Sequence, residues 1–248
     1  MQTPELNWRV VLVRPRNPLN IGAAARAMAN FGLQELMVVA PYEPVWQEVR
    51  SAVGAENVVR SARAVERLED AIGDANLVVG TTAGTRRNLD RDLLPLTEFP
   101  AWLRARTSAS RLRQAALLFG SEKTGLSSEA MSFCHVLVRI PTAPQCPSMN
   151  LGQAVAVCCY ELARAGMVST PPGTVKLRHS DAVNLQALEH ALARLVNVLD
   201  EVGYLKPKSR NAQILKLRRL LLDLELTNYD VRVLGGILAQ TQWKLNNP

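Results

Sequence analysis

The chain is poor in the residues that build metal centres and disulfide frameworks. Its four cysteines, Cys134, Cys146, Cys158 and Cys159, contain no C-x-x-C pair, and its three histidines, His135, His179 and His190, complete no zinc spacing. No metal site is expected, and the thiols are expected to be reduced and structural. No apolar run approaches the ~20 residues that span a bilayer. The opening MQTPELNWRV also lacks a cationic stretch followed by an apolar one, so a cytoplasmic protein without membrane association is expected. Glycine signatures are missing as well. The first apolar run ends at Val13 and continues Arg14-Pro15-Arg16-Asn17-Pro18 where a dinucleotide-binding fold would carry G-x-G-x-x-G. Neither a Walker A sequence nor a G-x-S-x-G elbow occurs, which removes the best support for NTPase and hydrolase readings.

What is present is a large apolar fraction, 48% of 248 residues, with 21% charged, which excludes a disordered chain. Lys and Arg outnumber Asp and Glu by 29 to 22, a net charge of +7 that favours a polyanionic partner. Five short β-branched runs read as strands: Val10–Val13, Leu36–Val39, Leu77–Val79, Ala116–Phe119 and Val136–Ile140. Between them lie stretches of helical composition: Ile21–Phe31 with Gly32 as its stop, the region around Ala62–Ile72, and Leu151–Ala165. Alternating strands and helices with continuous apolar strands predict an α/β fold, a parallel sheet covered on both faces. Ligands of such sheets gather beyond the carboxyl ends of the strands. Three strands run into small or rigid turns there, Gly80-Thr81-Thr82, Gly120-Ser121-Glu122 and Pro141-Thr142.

The composition changes after Gly166. Residues 1–166 read as the sheet domain, 167–180 as a linker containing Ser169-Thr170-Pro171-Pro172-Gly173, and 181–248 as a small all-helical domain. Leu185, Leu188, Leu192, Leu195, Leu199 and Val202 recur at three and four spacing, a narrow apolar seam that needs a partner. A second helix is expected over 211–226, and Thr227 with Asp230 makes a capping-box start for a third. From residue 170 onward there are 11 Lys and Arg against 7 Asp and Glu. Lys206, Lys208, Arg210, Lys216, Arg218 and Arg219 concentrate that excess, either as a solvated face or as contacts to RNA phosphates.

Three segments fall at strand ends: Asn20-Ile21-Gly22-Ala23-Ala24-Ala25-Arg26, then Leu118-Phe119-Gly120-Ser121-Glu122-Lys123-Thr124-Gly125-Leu126, then Ile140-Pro141 followed by Ser148-Met149-Asn150-Leu151. In that order they resemble the three motifs of the SpoU branch of the SPOUT superfamily, S-adenosylmethionine-dependent RNA ribose 2′-O-methyltransferases. The segment Leu77–Ala83 and the helical tail are similar to the subgroup that modifies the ribose of nucleotide 32, cytidine or uridine, in tRNA. The resemblance implies a sheet domain with a deep carboxyl-terminal trefoil knot, a homodimer, and S-adenosylmethionine bent into the knotted loops. The alternatives are a 2′-O-methyltransferase for another tRNA or rRNA nucleotide, and an RNA-binding or assembly protein that keeps the fold without turnover.

Carried onto this chain, the resemblance places the cofactor at Thr81, Thr82, Ala83, Gly120, Ile140, Pro147, Ser148 and Met149. It makes Arg26 the catalytic arginine and an RNA contact, with Asn20 and Glu122 positioning it and Ser148 and Asn150 at the ribose or cofactor. A guanidinium is a permanent cation, better suited to gripping a phosphate than to removing a proton. Arg86 keeps one of the arginines that the subgroup carries after Ala83, and Cys146 stands where an aromatic residue is common.

Overall fold

A computed structural model describes residues 6–42, 52–84, 92–107, 112–168 and 183–247. Seven parallel strands form one sheet: β1 (Asn7–Val13), β2 (Glu35–Val39), β3 (Arg63–Val65), β4 (Leu77–Thr81), β5 (Leu93–Pro95), β6 (Gln114–Phe119) and β7 (Val136–Arg139), in the order β3-β2-β1-β6-β4-β7-β5. The continuous apolar runs have a simple cause. Successive side chains of a strand point to opposite faces, so Val10 and Leu12 enter one core while Val11 enters another. A strand buried on both sides must be apolar at every position.

The first face is covered by α1 (Pro18–Asn30), α2 (Glu56–Ser61), α4 (Phe99–Thr107) and α6 (Leu151–Arg164). Asn17 caps α1, its side chain accepting from the Leu19 N–H, and Pro18 sits at the first helical position, where its missing N–H costs nothing. Asn150 caps α6 in the same way, accepting from Gly152 and Gln153. The two helices pack closely because Ala23 and Gly152 meet: a Cβ on Gly152 would lie 2.7 Å from that of Ala23.

The second face is covered by α3 (Leu68–Ile72), α5 (Ser128–Ser132), α7 (Leu185–Glu201) and α8 (Arg210–Asp223); α9 (Asn228–Asn246) packs against α7. The apolar seam of the tail therefore finds its partner in the sheet domain. Leu185, Leu188 and Leu192 share one buried cluster with Val11, Met37, Val78, Ala116 and Leu118 of the strands. The start of α7 is sewn on by backbone bonds from Leu185 N–H to the Ala75 carbonyl (3.0 Å) and from Gln186 N–H to the Gly73 carbonyl (2.7 Å). The tail helices start where the sequence predicts, and Thr227 and Asp230 form the expected capping box. Most of the expected linker, from residue 169 on, lies outside the described residues.

One sequence expectation needs correction. The stretch Ala62–Ile72 is not one helix: α2 ends at Ser61, Arg63–Val65 adds an edge strand beside β2, and α3 follows. Helical composition is a weak prior that pairing with an open sheet edge overrides. The buried leucines of α7 and α8 in the tail close the second sheet face. Among the described residues no helix is long and apolar enough to cross a membrane, and no group of three or more His, Cys, Asp or Glu is placed to hold a metal ion.

Candidate active site

The sheet order makes neighbours of the three strands whose turns stood out, because β6, β4 and β7 lie side by side. Their carboxyl ends open into a cavity of roughly 350 Å³, lined by Thr81–Gly84, by Gly120–Leu126, by Ile140 and Thr142, and by Pro147, Ser148 and Met149. Volumes of ~300–1,000 Å³ are typical of small-molecule sites. All eight residues that the family resemblance places at the cofactor line this one cavity. Its walls combine apolar side chains such as Phe119, Ile140 and Met149 with the polar side chains of Thr81, Thr82, Glu122 and Ser148.

The loops are held from inside. Thr81 Oγ1 donates to the Leu118 carbonyl of β6 at 2.8 Å and ties its turn to the neighbouring strand, and Thr82 Oγ1 accepts from Gly84 N–H at 3.2 Å and closes the turn on itself. Thr142 Oγ1 donates to the Pro147 carbonyl at 3.1 Å and closes the loop before α6. Gly120 is required by space. A Cβ there would come within 2.0 Å of the Gly125 backbone, because the segment 121–125 folds back in a tight turn bridged at its ends.

One chain of hydrogen bonds joins the three motifs. Glu122 Oε1 accepts from Asn20 Nδ2 (2.8 Å) and Asn17 N–H (3.2 Å), while Oε2 accepts from Arg16 N–H (2.9 Å). Asn20 Oδ1 then accepts from Asn150 Nδ2 (2.9 Å), and Asn150 Oδ1 caps α6. The carboxylate forces the Asn20 amide to face it nitrogen first, and this fixes the next amide in turn. Burial opposes the charge on Glu122, but the Asn20 amide and the backbone N–H groups outweigh it and hold the carboxyl below the usual glutamate range. The backbone donors of Arg16 and Asn17 escaped the sequence reading, since main-chain contacts leave no side-chain signature.

Arg26 stands apart. It is exposed on α1, two turns beyond Asn20, has no ion pair among the described residues and does not line the cavity of its own chain. Arg86 lies outside the described residues. In the tail, Lys206, Lys208 and Lys216 are exposed, Arg210 pairs with Asp200 at 2.6 Å, and Arg219 reaches Asp223 at 3.4 Å. Arg218 must be removed from the expected RNA face. Its side chain is only 12% exposed, bidentate to Glu189 (2.8 and 3.0 Å), bonded to Ser132 Oγ (2.8 Å) and stacked over Phe133.

Residues 7–160 match the model of the SpoU rRNA methylase family. The chain is 34% identical over 242 residues to the tRNA (cytidine/uridine/adenosine-2′-O-)-methyltransferase TrmJ of Pseudomonas aeruginosa, covering 94% of this chain and 93% of that one. It is 33% identical over 237 residues to the tRNA (cytidine/uridine-2′-O-)-methyltransferase TrmJ of Pectobacterium atrosepticum, covering 95% and 97% of the two chains. The crystal structure of TrmJ from Z. mobilis ZM4 superposes with a TM-score of 0.79 at 28% identity, over 94% of this chain and 98% of the other. With a family match over more than half its length, and the three motifs that the sequence singled out gathered at one cavity, the chain belongs to the SpoU methylase family of RNA methyltransferases.

Proposed function

We propose that the protein transfers the methyl group of S-adenosylmethionine to a ribose 2′-hydroxyl of tRNA, at cytidine or uridine 32 of the anticodon loop. The observation that carries this reading is the bonded chain Glu122–Asn20–Asn150 at the lip of a cavity lined by all eight expected cofactor residues. Full-length similarity to relatives named as tRNA 2′-O-methyltransferases supports the substrate. S-adenosylmethionine supplies a methyl group activated on a sulfonium. Gly120, the 81–84 turn, Ser148 and Met149 line the cavity and would hold the cofactor there. The loops orient the reactants, which is where an enzyme of this kind gains most of its rate.

Arg26 enters this reading as the phosphate-gripping residue of a homodimer. Its exposure outside its own cavity supports use at the partner's cavity, and the planar fork suits a bidentate phosphate contact. Mixing two inactive variants tests function and arrangement together. Arg26→Ala should retain cofactor binding and lose nearly all methyl transfer to tRNA; Gly120→Ala should lose the pocket. Co-refolded, half of the dimers are mixed and each restores one site, so about a quarter of wild-type transfer should return. No return of activity would place Arg26 in its own subunit's site, and near-normal turnover by Arg26→Ala alone would remove its catalytic role.

A further inference from the structure

The tail arginines Arg210, Arg218 and Arg219 are committed to carboxylates, whereas a second set of arginines beside the cavity is not. β1 ends at Val13, next to β6, and the turn that follows carries Arg14 and Arg16 on either side of Pro15. This turn sits on the cavity lip, because Arg16 N–H donates to Glu122 Oε2 at 2.9 Å and Glu122 lines the cavity. It is also held rigidly. Arg14 N–H donates to the Val39 carbonyl (2.8 Å), Tyr42 N–H donates to the Pro15 carbonyl (3.2 Å), and Pro15 itself is buried.

Both arginines are exposed and neither forms an ion pair among the described residues. Glu122, which this turn bonds, spends both oxygens on backbone N–H groups and the Asn20 amide and makes no ion pair with either guanidinium group. Arg14 is moreover held at φ 53°, a left-handed conformation that disfavours a side chain of its size. Tyr42 completes the group: it is 69% exposed, and the Arg16 guanidinium lies 5.5 Å from its ring centre. Two unpaired cations on a rigid turn, next to a flat exposed ring, are the components of a surface that tracks a nucleic-acid backbone and stacks a base.

We infer that Arg14, Arg16 and Tyr42 grip the RNA strand beside the target nucleotide, the arginines taking backbone phosphates and the tyrosine a base. The inference rests on the proposed function, which requires a ribose at the cavity and hence its flanking phosphates at the lip. It adds the cavity rim to the exposed tail lysines Lys206, Lys208 and Lys216 as a source of the salt-dependent part of RNA affinity.

The test is binding of unfractionated tRNA to the full chain across a salt series, with methyl transfer measured in parallel. Arg14→Gln/Arg16→Gln should bind at least tenfold more weakly at low salt, and its log–log salt slope should be shallower by about 1.5, the loss of two phosphate contacts. Tyr42→Ala should lose roughly tenfold with the slope unchanged, and Tyr42→Phe should recover it. Stabilisation by S-adenosylhomocysteine checks that each variant is folded, and Arg14→Gly gives a second route: it relieves the left-handed backbone, so its melting temperature should hold or rise while one contact is lost. Unchanged affinity and slope in the double variant, with active wild-type protein, would overturn the inference and leave the function standing. A reduced slope in the double variant, when the wild-type protein transfers no methyl group, would overturn the function and leave the surface standing. Wild-type protein that binds no tRNA would overturn both.

Discussion

Gly120 concentrates the demands of the site at a single position. Any side chain there collides with the Gly125 backbone at 2.0 Å and with the Leu126 nitrogen at 2.1 Å, and backbone cannot rotate away as a side-chain tip would. Gly120→Ala should therefore open the 121–125 turn, at about 1–3 kcal/mol of stability, the usual range for overpacking. The sharper consequence is at the cavity: S-adenosylhomocysteine should raise the wild-type melting temperature by binding only the folded state and should leave this variant's unchanged. A normal ligand-induced shift would mean that the turn does not shape the pocket. Glu122 adds a pH signature of known sign. Its carboxyl is held below the ordinary value. The stability it confers is thus complete above that ordinary value and is lost only as pH falls through the lower folded one. Around neutral pH the three-motif chain of hydrogen bonds keeps its charge and polarity.

At the scale of elements, the decisive positions are those where the tail is fastened to the sheet domain. Arg218 joins α8 to Glu189 on α7 and to Ser132 and Phe133 at α5. Removing it leaves a partly buried carboxylate without its partner, so Arg218→Ala should cost about 2–4 kcal/mol in urea unfolding, while Lys208→Ala and Lys216→Ala should stay within about 0.5 kcal/mol. Equal, small effects for all three would return Arg218 to the solvated face. The contrast also measures what was legible in the chain. The five central strands and the tail helices could be read because burial on both faces, or a three-four seam, stamps a period on the residues. β3 and β5 could not: each has three residues at a sheet edge, one was masked by helical composition, and the other ends in Pro95, which only an edge tolerates. Arg9 was equally silent. A charge in a central strand, 4% exposed, makes sense only once Glu35 and Asp74 are seen to meet it from β2 and the turn after α3.

In the whole molecule, the sheet is a partition between two cores, one closed by α1 and α6 and the other by the tail. The first places Asn20 against Asn150 and so builds the cavity lip; the second makes residues beyond 183 part of the fold, since their loss would bare Val11, Met37, Val78 and Leu118 to water. The motif residues were readable because each stands at a strand or helix end where spacing is rigid. What joins them, backbone N–H groups of Arg16 and Asn17 arriving from another strand's turn, depends on the third dimension. The central claim is that this cavity directs a methyl group to one ribose of tRNA. The most direct measurement is nucleotide-resolution mapping of 2′-O-methylation in tRNA incubated with S-adenosylmethionine and either the wild-type protein or Arg26→Ala. The expected result is a new 2′-O-methyl group at cytidine or uridine 32 with the wild type and none with the variant; methylation confined to another nucleotide would contradict the assigned position, and no ribose methylation of tRNA would contradict the account itself.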